Sequence, residues 1–169
     1  GFANLGGSAA YIGKVRDDQL GAIFNHDMTS LGVDIRLPAA ADGPPTARSH
    51  ILISEDGQRT MQTYLGACLE LALADITEES VGNPQLILLE GYVWDIAEGP
   101  ALAKKAAEIA RGNATSVSLS LSDSFCVQRH RDSFEDFVRN DADIIVADED
   151  EVHALLGTDS IDDAIAKCG

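Results

Sequence analysis

The chain has 169 residues, 45% of them hydrophobic and 24% charged, enough for a compact fold with its own core and too apolar for wholesale disorder. Twelve Lys and Arg against 28 Asp and Glu give a net charge of -16, which argues against binding to nucleic acid or to an anionic membrane surface. A small anionic ligand carried with a divalent cation remains compatible with that charge.

Residues 8–12 (SAAYI) form a short apolar run between glycines and read as a buried strand. Asp17 and Asp18 then stand where a helix cap belongs, ahead of Leu20, Ile23, Phe24, Met28 and Leu31 at helical spacing, with Gly32 as the stop. Residues 33–37 read as a second strand. After Pro44-Pro45 a hairpin is predicted from residues 47–54 and 58–65, turning at Asp56-Gly57. Its arms mix polar and apolar residues, as in strands with an open face. By contrast, residues 85–90 (QLILLE) are apolar up to the final Glu, the pattern of a strand buried on both faces. A helix over 97–110, a strand over 116–121, a helix marked by Phe134, Phe137 and Val138, and a strand over 143–147 follow. The next helix, 149–156, stops at Gly157, and Ser160 with Asp163 forms a capping box for the last. Strand and helix alternating in this way imply a parallel sheet covered on both faces.

Three cysteines, Cys68, Cys126 and Cys168, share no CxxC spacing, so a disulfide framework or structural zinc site is not expected and a reducing cytoplasm fits best. No apolar stretch reaches the ~18–20 residues of a membrane span. Gly13-Lys14 superficially matches the end of a phosphate-cradling GxxxxGK[ST] loop. Ser8 occupies the first Gly position, however, and Val15 offers no hydroxyl for Mg²⁺. His26, His50, His130 and His153 are scattered among polar neighbours and read as surface residues.

Ligands of parallel α/β sheets bind beyond the carboxyl ends of the strands. That rule selects Glu90-Gly91-Tyr92, residues 120–123 and residues 148–151. Glu90 ends an apolar strand, where a carboxylate must meet solvent, a cation or ligand hydroxyls. Asp148 and Glu151 sit at i and i+3 of a helix start, so both can face one cation. Acids in a first helical turn are also favoured by the helix dipole alone, and that plainer reading has the stronger physical case. Arg59 reads equally as a solvated hairpin arginine.

Several stretches in order resemble the ribokinase-like (PfkB) family of sugar and nucleoside kinases. They are AAYIGKVRDDQLG, PPTARSHILISEDGQRTMQTYLGA, QLILLEGY, SLSLSDSF and ADIIVADEDEVHALLG. The resemblance runs over essentially the whole chain and, in the SLSLSDSF and hairpin stretches, is strongest toward adenosine kinases and related bacterial sugar kinases. It implies an α/β, ribokinase-like three-layer sandwich with a mostly parallel sheet and a β-hairpin lid at about residues 45–68. It also implies an ATP-dependent kinase that phosphorylates a primary hydroxyl of adenosine or of a sugar and uses Mg²⁺.

By the same resemblance, Arg59 stabilises the transferring phosphate, while Gly66, Ala67 and Glu90 face the substrate. Asp148 and Glu151 match the NxxE motif that organises Mg²⁺, with Asp in place of the usual Asn. The hairpin can also pair with a second subunit's hairpin. Nothing after Gly157 resembles the family's GAGD element with its base, and nothing in the chain matches its first GG signature, so residues 1–169 read as the central part of one kinase domain that is inactive alone. The competing reading is a noncatalytic α/β binding or interaction module.

Overall fold

The computed structural model describes residues 1–168, and these form two compact units, residues 1–71 and residues 72 onward. In the first unit, β1 (Ala9–Tyr11) pairs in parallel with β2 (Val33–Ile35), and α1 (Gln19–Ser30) is the crossover between them. Helix α1 starts where the sequence places its cap. Asp18 accepts from the Gly21 N–H at 2.9 Å, and the same carboxylate takes the Thr46 hydroxyl at 2.7 Å and the Thr46 N–H at 2.9 Å. One side chain therefore starts the helix and ties down the segment leading to the hairpin. These bonds hold the Asp18 carboxyl below the ordinary range, the Thr46 N–H contributing most.

The hairpin consists of β3 (Arg48–Ile53) and β4 (Arg59–Tyr64), antiparallel and in register from Arg48↔Tyr64 to Ile53↔Arg59. Every residue of both strands is exposed. At its base Gly66 has φ +48°, and a Cβ there would lie 2.0 Å from the Pro45 carbonyl oxygen. Ala67 is 1% exposed and donates its N–H to the same oxygen at 3.0 Å.

The second unit is built on a parallel sheet in the order β5 (Leu86–Glu90), β6 (Ser116–Ser120), β7 (Ile144–Val146). Its helices are α2 (Glu78–Val81), α3 (Gly99–Gly112), α4 (Ser124–Arg129), α5 (Arg131–Asn140), α6 (Glu149–Leu156) and α7 (Ile161–Cys168). The core gathers on the sheet face that carries Ile87, Leu89, Val117 and Leu119, under Ala103, Ala107, Val127, Phe134, Phe137 and Leu155. Trp94 anchors it, stacked on Phe134 at 4.4 Å between ring centroids and edge-on to Phe137 at 5.2 Å. Its indole N–H is satisfied by Ser133 Oγ at 2.9 Å.

The structure corrects three expectations. β5 is not buried on both faces: Ile87 and Leu89 pack into the core, while Leu86 and Leu88 on the other face are 45% and 54% exposed. A continuous apolar run cannot say which of its faces finds a partner, and here the core lies on one. β1 is likewise only half-buried. The connection after β6, read as one helix, contains two, because Asp123 caps α4 through the Cys126 N–H at 2.9 Å before α5 begins. At α7, the Asp163 N–H donates to Ser160 Oγ at 3.3 Å, one of the two bonds of the anticipated capping box.

Candidate functional site

Acids stand at the carboxyl ends of β5, β6 and β7. Glu90, Asp123 and Glu151 all act on the Tyr92 phenol, whose pKa is raised by burial first and by these charges after it. Asp148 caps α6, taking the Glu151 N–H at 2.8 Å, and Glu151 returns Oε2 to the Asp148 N–H at 3.1 Å. This is a reciprocal capping box, a purely local use of the pair. It does not exhaust them. The box uses Asp148 Oδ1 and Glu151 Oε2, leaving the second oxygen of each carboxylate outside it.

Glu151 is nearly buried, and desolvation, with Asp148 and Asp123 nearby, lifts its pKa above the ordinary range. A crowded pair of oxygen donors fits a hard divalent cation, directly or through water. Among the described residues no cluster of three or more ligating side chains surrounds them, so these two would form only part of a coordination shell.

Glu90 is exposed at the end of β5. The Ser122 hydroxyl donates to its Oε2 at 2.9 Å and accepts from the Gly91 N–H at 2.8 Å. A Cβ on Gly91 would stand 2.4 Å from the Leu121 carbonyl oxygen, so glycine there lets β5 and the end of β6 approach closely. Cys126 closes the far side, its Sγ donating to Gly91 O at 3.5 Å. Burial, helped by the Asp95 charge, pushes that thiol up to about 11, so it stays protonated and packs as an inert side chain. Cys68 and Cys126 are free thiols, while the Cys168 side chain lies outside the described residues.

The remaining candidates belong to the first unit. Arg59 opens β4, exposed, on the hairpin face it shares with Ile51, Ile53 and Met61, and it pairs with no carboxylate among the described residues. Gly66 and Ala67 are fixed against Pro45 by backbone contact. Lys14 donates to the Glu70 carbonyl at 2.9 Å, and Val15 is buried, in keeping with rejection of a phosphate loop.

His26 and His50 are exposed, as the sequence suggested, while His130 and His153 are half-buried. His130 Nε2 lies 2.8 Å from Asp95, which also holds Arg129 at 2.6 Å, and these two bring the Asp95 carboxyl below its ordinary range, Arg129 dominating. A polar cavity of about 330 Å³ lies at the opposite ends of β6 and β7. Its Arg111 and Arg139 are already paired, with Asp141 and Glu135.

Sequence reasoning selected Glu90, Asp148 and Glu151, but not Ser122. Its signal was its place in the strand-end segment, and only the backbone shows what the hydroxyl reaches.

A family model described as pfkB family carbohydrate kinase matches residues 1–169. The chain belongs to the pfkB family of carbohydrate kinases. An adenosine kinase from Sinorhizobium meliloti superimposes on this pfkB chain with a TM-score of 0.92 and 43% identity, covering 99% of this chain and 51% of that one. A probable sugar kinase from Rhizobium etli CFN 42 does so at 0.92 and 42%, with the same coverage. Among curated relatives, the 5-dehydro-2-deoxygluconokinase of Clostridium perfringens is 26% identical over 99% of this chain and 52% of its own length. The pfkB chain thus has the ribokinase-like α/β fold and spans about half the length of the curated relatives it matches. Among the described residues no helix is long and apolar enough to cross a membrane.

Proposed function

We propose that this chain is the central part of one kinase domain that transfers phosphate from ATP to a primary hydroxyl, of a nucleoside such as adenosine or of a sugar. The observation that carries the reading is the family match along all 169 residues, joined to 43% identity with a protein named as an adenosine kinase. The acids at the strand ends add local support, since they stand where parallel α/β sheets bind their ligands.

In this reading Glu90 accepts hydrogen bonds from substrate hydroxyls through its free oxygen. Arg59, an exposed guanidinium with no carboxylate partner among the described residues, meets the phosphate as charge moves across it. Gly66 and Ala67 lend a rigid hairpin base against the substrate. Asp148 and Glu151 hold Mg²⁺ through their unused oxygens. Bound Mg²⁺ supplies neutralisation of phosphate charge. Aligning acceptor and donor does most of the remaining work, because phosphoryl transfer asks for little covalent chemistry from the protein. The family's base and anion-binding element match nothing in residues 1–169, so these residues alone are inactive. Free thiols at Cys68 and Cys126 suit a reducing cytoplasm.

The test is turnover of ATP with adenosine and with ribose by a protein carrying the whole kinase domain. Arg59→Ala is expected to lower kcat by about a hundredfold while leaving acceptor affinity nearly unchanged. Unchanged turnover removes Arg59 from the mechanism. Thermal protection by ligand with no ATP consumed would favour a noncatalytic binding module instead.

A further inference from the structure

Two non-glycine residues among those described have positive φ, Ala114 at 54° and Ser122 at 69°. Ser122 sits where the chain leaves β6, next to Glu90. The Asp123 N–H reaches back to the Leu121 carbonyl at 2.8 Å, so residues 121–123 form a γ-turn with positive φ at its centre, the rarer and more strained kind. Glycine would adopt this turn at no steric cost. A serine held here spends conformational energy, and strain of that sort persists only where the surroundings impose it.

The surroundings do impose it. The Leu121 N–H donates to the Val146 carbonyl at 3.0 Å, and Asp123 is committed to capping α4. Gly91 leaves no room beside Leu121 O, where a Cβ would lie 2.4 Å away. Within this frame the Ser122 hydroxyl has one proton and two acceptors in reach, Glu90 Oε2 at 2.9 Å and Ser120 O at 3.3 Å. The shorter contact, to the Glu90 side chain, takes the proton. The Gly91 N–H fills a lone pair on the same oxygen at 2.8 Å.

We propose that Ser122 is the positioning residue for Glu90: its strained γ-turn holds the hydroxyl so that one carboxylate oxygen is fixed and the other is presented to the phosphate acceptor. This rests on the reading of Glu90 as a contact to acceptor hydroxyls. An exposed carboxylate at a strand end would otherwise sample several rotamers, and fixing it beforehand removes an entropic cost from acceptor binding. As a positioning residue acting through Glu90, Ser122 should affect the acceptor and leave ATP binding unchanged.

The experiment uses the protein carrying the whole kinase domain and compares wild type with Ser122→Gly, Ser122→Ala, Glu90→Ala and the Ser122→Gly/Glu90→Ala double variant. Ser122→Gly removes the hydroxyl and also the φ strain, so its Tm reports the fold directly. Ser122→Ala is measured in parallel, so that poor folding of one variant does not decide the outcome.

Loss of a hydrogen bond to a charged group should raise the acceptor KM about tenfold, with the ATP KM unchanged. In the Glu90→Ala background the Ser122 change should add nothing. Equal rises in both KM values, or full additivity in the double variant, overturn the proposal. If Glu90→Ala raises the acceptor KM and neither Ser122 variant does, the role of Ser122 fails while Glu90 keeps its own. If Glu90→Ala itself leaves the acceptor KM unchanged, the Glu90 contact fails and the role of Ser122 with it.

Discussion

Single residues at the ends of β5 and β6 carry more than one obligation each. Gly91 gives its N–H to Ser122, its carbonyl to Cys126 and its missing side chain to Leu121. Cys126 shows how burial settles chemical character. With its thiol pushed up to about 11, it should resist alkylation by a maleimide at neutral pH in the folded protein and react promptly once denatured. Labelling followed by peptide mass analysis checks this, and rapid native labelling would contradict the burial. The acid pair Asp148 and Glu151 makes the complementary point. Their place at a helix start favoured a local use over a cation site, and the bonds of the capping box engage one oxygen of each carboxylate.

Among the elements, α1 and the hairpin depend on one side chain. Asp18 is better stabilised as a carboxylate in the fold than in the unfolded chain, so its contribution is present at neutral pH and lost as pH falls below about 4. Asp18→Asn should therefore lower Tm at pH 7 and narrow its distance from wild type as the solution is acidified, which thermal unfolding across that range would measure. The hairpin exposes Ile51, Leu52, Ile53 and Met61, at 51%, 71%, 70% and 60%. Such an edge invites pairing, and we propose that it joins two subunits. Leu52→Lys should then shift a dimer toward monomer in sedimentation velocity, and a wild type that stays monomeric at high concentration would dismiss the pairing. The sequence announced this hairpin through its Asp-Gly turn and mixed arms. It did not announce α4, whose six residues carry too short a pattern to separate from α5 without the Asp123 cap.

At the scale of the whole molecule, stability in the second unit rests on the Trp94, Phe134 and Phe137 cluster, all at most 1% exposed. Phe134→Ala should cost about 3–5 kcal/mol, read from denaturant unfolding, because it removes both a stacked ring and its packing volume. The sequence by itself determined the order of the strands and the longer helices, the cap at Asp18, the hairpin, and the placement of acids at strand ends. These follow from local rules: periodicity, capping chemistry and turn residues act over a few neighbours. Only the tertiary structure decided which face of β5 is buried, that His130 is tied to Asp95, and that Ser122 reaches Glu90. Each of those depends on partners some 30 residues away, and no local pattern encodes which distant atom a side chain will meet.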